Sequence, residues 1–248
     1  MHRIRISLPK RQYAHYRHLD LLHDALINAW SAAGAHIDQV LGVKAAPWTF
    51  AALGGRRGNE GWVHSLVVST SDPALARCLT QFDPAAVRQT RAITAEIVNF
   101  SGAHMTPEPD PVPPEQGAMG VLLLSPLVVS QRSNGSPPKW QQQLQGFDIA
   151  AAVNARLSRL AGRTVHLQIE PDSLYLRANP KHSVLVSLKR SPNGQHAFVI
   201  GMMAPLVIAG SEQDLQLAWY SGIGEKTRNG FGCLGLLARG VGRSTTPA

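Results

Sequence analysis

The sequence predicts an α+β protein in two units, and two observations carry that prediction. Residues 1–105 read strand-helix-strand-strand-helix-strand, the split βαβ order of ferredoxin-like and RRM-like modules. Prolines with interleaved acids then break the chain at 106–119, and a second, decorated α+β unit fills 120–248. In the first unit His2, Arg3, Ile4, Arg5 and Ile6 alternate basic and apolar side chains, the period of a strand with one wet, positively charged face, and Pro9 ends it. Apolar residues recur at helical spacing through Leu19, Leu22, Leu26 and Trp30, so residues 18–30 form the first core helix. Residues 46–53 read as a strand, 54–58 as a turn and 61–69 as the returning strand. Ser71 and Asp72 ahead of Pro73 mark a helix start for 74–82, and 93–100 supplies the fourth strand. In RNA-binding modules of this order the open sheet face receives bases.

Pro107, Pro109, Pro111, Pro113 and Pro114 make 106–119 a linker. Beyond it, 120–130 is an apolar strand with a bend at Ser125-Pro126, 135–139 a loop, and 147–161 a helix. Arg156, Arg159 and Arg163 gather on one side of that helix and its end, either as a solvated face or as a phosphate-tracking one. Strands follow at 165–170, 174–177, 184–189, 197–204 and 233–239, with a helix at 211–220.

Twenty-four Lys and Arg against 16 Asp and Glu give a formal charge of +8, and the isoelectric point is about 10.0. That balance favours a nucleic acid or another anionic surface as partner. No apolar run reaches the roughly 20 residues of a membrane span, and residues 1–6 have no secretory apolar core, so a cytoplasmic protein without a membrane partner is expected. Cys78 and Cys233 stand alone and the ten histidines form no ligand motif, so neither a metal nor another cofactor is expected.

The most specific segment is Gly222-Ile-Gly224-Glu-Lys226-Thr-Arg228-Asn-Gly230-Phe-Gly232. Glycines without Cβ atoms let a ligand approach the main chain, and two cations in the same loop suit an anion. The spacing fails the G-x-x-x-x-G-K-[ST] phosphate loop because Glu225 precedes Lys226. It also fails the dinucleotide fingerprint, because Thr227 stands where a small residue belongs. A polyanion lying across the loop is the functional reading, and a hairpin shaped only by strand geometry is the alternative.

With this loop between an apolar helix and an apolar strand, residues 46–53 as second strand, Leu124-Ser-Pro-Leu-Val-Val129 opening the second half and histidines at the first helix, the chain resembles the CRISPR-associated endoribonucleases of the RAMP superfamily, which cut repeat RNA into guide RNA. The looseness of the flanking motifs is similar to the smaller, divergent members, including those of type IV systems. The resemblance implies tandem ferredoxin-like domains, with repeat RNA gripped at their junction and at the glycine-rich loop. It also implies metal-independent cleavage by the ribose 2′-OH and retention of the product. A non-catalytic RAMP subunit that holds guide RNA among other CRISPR effector subunits is the alternative, and a housekeeping RNA-binding module a more distant one.

Self-cleavage of RNA needs a proton acceptor, a donor for the leaving oxygen and positive charge on the phosphate. By family placement His23 is the first candidate and His18 the second, with His15 behind them; Tyr16 and Arg17 complete a candidate surface. Its alternative is a helix-surface histidine paired with Asp20 or Asp24. Arg3, Arg5, Arg56 and Arg57 are expected to contact RNA backbone, as are Arg156, Arg159 and Arg163 and the loop residues Gly222, Gly224, Lys226, Arg228, Gly230 and Gly232.

Overall fold

The computed structural model describes residues 1–42, 45–57, 60–92, 96–131, 139–190 and 196–237. Strand β1 (His2–Ser7) turns Ile4 and Ile6 into the first core and runs centrally in an antiparallel sheet. The strand β2 (Ala14–Tyr16) leads into helix α1 (Leu19–Ala32), which buries Leu19, Leu22, Leu26 and Trp30 as their spacing requires. A short helix α2 (Ile37–Leu41) follows, then β3 (Trp48–Arg57) and β4 (Glu60–Thr70). Helix α3 (Pro73–Leu79) starts where expected: the Asp72 carboxylate accepts from the Leu75 N–H at 2.8 Å, and Pro73 opens the first turn.

The fourth strand of this sheet is not 93–100. Residues 96–99 belong to a separate hairpin, β5 (Arg88–Arg91) with β6 (Glu96–Asn99), that packs on α1. The sheet is completed by β7 (His104–Pro107), whose Ile4↔Pro107 to Ser7↔His104 register places it beside β1. A β-branched run reads as a strand whichever sheet it joins, and the partner is a tertiary choice. The main order is then β3-β4-β1-β7, that of a ferredoxin-like unit.

The second half repeats the plan. Strand β8 (Gln116–Leu123) is central, flanked by β14 (Leu206–Ser211) and β15 (Leu234–Leu236), and β11 (Gln168–Pro171) lies beyond β14. Helices α4 (Ile149–Ala161) and α6 (Glu212–Ser221) supply the crossovers. Between β11 and β14 are inserted a helix, α5 (Ser173–Ala178), and a hairpin, β12 (Ser183–Arg190) with β13 (His196–Met202), whose Val186 and Val199 join the core of the first half. A two-stranded ribbon, β9 (Ser130–Gln131) with β10 (Lys139–Trp140), rises from the end of the Ser125-Pro126 bend.

Residues 174–177 are helical rather than extended, because the Asp172 carboxylate accepts from the N–H groups of Leu174 and Tyr175 and starts a turn. Of the loop expected at 135–139, residues 135–138 lie outside the described residues, while Lys139 opens β10. The last expected strand is seen at 234–236; residues 238 and 239 fall outside the described part. No helix of the described residues is long and apolar enough to cross a membrane.

Among the described residues, much of the first sheet's second face is closed to bases. The face opposite α1 carries Arg3, Ala51 and Val67, all at most 1% exposed, and is covered by Cys233, Leu234 and Trp219 of the second half. The expected wet basic face of β1 is therefore overturned at Arg3, while the Arg5 side chain keeps 40% of its surface exposed. Arg3 donates to Glu108 Oε2 at 2.6 Å and to the Leu234 carbonyl at 2.6 Å, and its guanidinium lies 4.2 Å from the Trp219 ring centroid. Arg5 donates to the other oxygen of Glu108, at 2.7 Å. One acid of the proline-rich stretch thus ties both arginines of the strand and offsets one of their two charges.

Burial alone would raise the Glu108 carboxyl, but the hydrogen bonds and charges of Arg3 and Arg5 outweigh it and hold its pKa below the ordinary 4.5. Its contribution to stability is full above the unfolded value and disappears as pH falls through the folded one. Glu108→Gln is expected to cost about 3 kcal/mol at pH 7, because it leaves Arg3 buried beside a neutral group. In urea melts across pH, that deficit should shrink as pH is lowered below 4.5; a deficit unchanged down to pH 3 would show that the carboxylate charge is not what matters.

Candidate nucleic-acid interface

The glycine-rich loop leaves α6 and crosses back to the first half before β15. Its glycines 222, 224, 230 and 232 are all buried, and the space a Cβ would need is filled by protein rather than left open to a ligand. At Gly232, with φ +65°, an added Cβ would lie 1.8 Å from the Ile223 carbonyl oxygen; at Gly224, with φ +77°, it would meet Leu127 at 2.4 Å. The expectation of bare glycine backbone offered to an anion is corrected: these glycines let the loop wedge between the two halves. Thr49 Oγ1 donates to the Phe231 carbonyl at 3.0 Å, and Arg228 donates to the Leu41 carbonyl.

Arg156 holds this wedge. It is 6% exposed on α4 and donates to the carbonyls of Gly222 (2.8 Å), Ala46 (2.7 Å) and Ser221 (3.3 Å) and to Thr227 Oγ1 (2.8 Å). Three of these acceptors lie on or beside the loop and one on the first half. Burial, and then the nearby charge of Arg159, push its pKa down to about 10, so the group remains a cation at pH 7. No carboxylate pairs with it among the described residues.

Arg156, Arg159 and Arg163 therefore do not form one phosphate-tracking face. Arg156 is internal, Arg159 is exposed, and Arg163 pairs with Asp214 at 2.6 Å. Helical spacing groups the three, but α4 lies against the loop and α6, so each turn meets a different neighbour.

What the fold does create is a cleft of about 720 Å³ lined by Arg156, Arg159, Lys226 and Arg228 together with Glu225 and Ser130. None of the four cations has a carboxylate within 4.0 Å among the described residues. Lys226 Nζ stands 5.4 Å from the Trp140 ring centroid, which steadies it at the rim. Ser130 and Glu225 were not legible as site residues; the only signal for Glu225 was its place inside the glycine motif.

His23 lies on α1, which packs against the 227–229 turn of the loop. Its ring stacks on Trp48 (6.1 Å between centroids, 17° between planes), and Nδ1 is 3.1 Å from Asp24 Oδ1. Nε2 is covered and has no hydrogen-bond partner among the described residues. Arg91 of β5 reaches Asp20 at 3.0 Å and Asp24 at 3.7 Å, fixing the carboxylate that holds the ring.

The other candidates lie at the start of α1 and toward the far end of β3. His18 is enclosed, 4% exposed, with Nδ1 3.6 Å from Glu96 Oε2. Tyr16 packs on the backbone of Gly61, and burial raises its pKa although Arg56 opposes this. Arg17 pairs loosely with Glu60 at 3.3 Å, and Arg56 donates to the Arg17 carbonyl. Arg56 sits at the far end of β3, eight residues from Trp48, or about 25 Å of extended strand, whereas His18, the residue just before α1, stands five residues ahead of His23, about 8 Å along the helix. Arg57 is placed by its backbone pairing with Glu60. Arg3 and Arg5 are committed to Glu108. Among the described residues no group of three or more His, Cys, Asp or Glu is placed to hold a metal.

Two ferredoxin-like units locked by a glycine-rich wedge beside a cationic cleft define a RAMP-type protein. The family model for the C-terminal part of CRISPR-associated protein Cas6 matches residues 108–236, just over half of the chain, and the chain belongs to the Cas6 family of CRISPR-associated repeat-processing proteins. Among solved structures, an RAMP protein binding different RNA substrates is similar with a TM-score of 0.66 at 17% identity, over 96% of this chain and 100% of its own. A Cas6-related protein from Pyrococcus furiosus aligns at 0.68 and 15%, over 96% and 99%. Cas6 of Thermus thermophilus aligns at 0.54 and 14%, over 94% and 96%. These likenesses show the tandem fold. No curated protein sequence matches the chain.

Arg156→Met should destabilise the protein by about 3 kcal/mol or more, since it strips four buried acceptors of their donor. Arg156→Lys, which keeps the charge but not the planar fork, is expected to recover less than half of that. Thermal or urea unfolding of the two variants checks this, and wild-type stability in Arg156→Met would remove the arginine from its role as the tie.

Proposed function

We propose that the chain binds CRISPR repeat RNA and cleaves it as an endoribonuclease. The ribose 2′-OH loses its proton and attacks the adjacent phosphorus, the bond to the 5′-oxygen breaks, and that oxygen takes up a proton. The ends are a 2′,3′-cyclic phosphate and a 5′-OH, and the upstream product is guide RNA. One observation carries the reading: His23, with Nδ1 directed to Asp24 and Nε2 unpartnered, stands on the helix that packs against the loop bordering the cation-lined cleft. A neutral imidazole that donates from Nδ1 keeps the Nε2 lone pair for a proton. Arg159, Lys226 and Arg228 supply positive charge for the phosphate backbone. His18 is enclosed, Tyr16 is half-buried against Gly61 and Arg17 is exposed beside Glu60, so in this reading the first two support α1 and β4 rather than meet the reacting atoms, and Arg17 stays at the surface.

The covered position of Nε2 favours a second reading, a RAMP subunit that holds guide RNA without cutting it. Labelled repeat RNA incubated with the protein in EDTA separates the two. A discrete cut ending in a cyclic phosphate supports the nuclease, and tight binding without a cut supports the subunit. For the nuclease, His23→Ala should bind repeat RNA as the wild type does and cleave at least about 100-fold more slowly in single turnover. Full-rate cleavage by that variant would remove His23 from the chemistry.

A further inference from the structure

Glu225 is out of place in a cleft meant only for phosphate. It lines the same cavity as Arg156, Arg159, Lys226 and Arg228, yet it pairs with none of them. Its Oε1 instead accepts from the Ser130 N–H at 2.9 Å and from Ser130 Oγ at 2.7 Å, which occupies both lone pairs of that oxygen. Its main-chain N–H donates to the Val128 carbonyl at 2.7 Å, so the carboxylate is fixed at both ends of the residue. Oε2 has no hydrogen-bond partner among the described residues. An anion held rigidly beside phosphate-binding cations repels the backbone those cations attract, unless a donor on the ligand meets it.

We infer that Glu225 Oε2 reads a base: it accepts a hydrogen bond from an exocyclic amine of a single-stranded ribonucleotide whose phosphate lies on Arg159, Lys226 or Arg228. A single available oxygen suits a single amine, as on cytosine N4 or adenine N6, and rejects uracil, which presents a carbonyl oxygen at the corresponding position. The inference rests on the proposed binding of RNA in this cleft and deepens it: the site selects among nucleotides as well as gripping their charge. It does not depend on cleavage.

Glu225→Gln tests it without dismantling the site. The Ser130 N–H needs an acceptor, so the glutamine oxygen stays on Ser130 and its NH₂ takes the place of Oε2, turning an acceptor into a donor. The measurement is the affinity of labelled oligo(rC) and oligo(rU) at one salt concentration, for the wild type, Glu225→Gln and Glu225→Ala. The wild type should prefer oligo(rC) by roughly tenfold. Glu225→Ala should lose the preference, and Glu225→Gln should reverse it toward oligo(rU). A residue that merely ties the loop to Ser130 would leave the preference unchanged in Glu225→Gln, and that result overturns the inference. Equal binding of both probes by the wild type also overturns it while leaving the RNA reading standing. No binding of either probe overturns both.

Discussion

The buried guanidinium of Arg156 is the interaction on which the remaining architecture depends. The two ferredoxin-like units share apolar packing across their seam, where Val128, Val186, Val199 and Phe231 of the second half join the first core, but non-directional apolar contact does not by itself fix how they sit against each other. Arg156 does so by donating at once to the loop and to Ala46 of the first half. A buried cation with no carboxylate partner is costly unless every donor is directed to an oxygen, and the loop supplies those oxygens only in its glycine-permitted path. The path of the loop and the cleft beside it follow from that buried charge.

A second buried arginine closes the other side of the seam. Arg3 exchanges water for Glu108, the Leu234 carbonyl and the Trp219 ring, so the sheet face that a free RRM-like module would give to bases is used to join the halves. The position of the nucleic-acid surface follows. With much of the sheet face covered, positive charge reaches solvent at the rim of the wedge, where Arg159, Lys226 and Arg228 have no acidic neighbour within pairing distance among the described residues. Glu225 is the exception within that rim, and its rigid tie to Ser130 makes a purely electrostatic description of the cleft incomplete.

Much of the fold was legible because its signals are local. The spacing of Leu19, Leu22, Leu26 and Trp30 fixes the buried face of α1, and Asp72-Pro73 starts α3 through a cap that needs only neighbouring atoms. Errors arose where a local pattern had to choose a distant partner. Residues 96–99 are extended, as expected, yet pair with Arg88–Arg91 and leave the main sheet to His104–Pro107. Residues 174–177 have strand-like composition, but the Asp172 cap turns them into a helix. Of the site, His23 with a neighbouring Asp and the cations of the loop were visible in the chain; the tie from Glu225 to Ser130 spans 95 residues and was not.

The chain alone therefore determined the strand and helix periods, the basic balance, and a glycine spacing specific enough to point to a family, because each is written in residue type and separation. Only the tertiary structure decided which arginines meet solvent and what the glycines are for. Arg3, Arg156 and Arg159 are the same residue type, and their environments differ from 1% exposed to open. Desolvating a cation demands fixed partners, and those partners, Glu108, Ala46 and Gly222, are assembled only when the two halves close on one another.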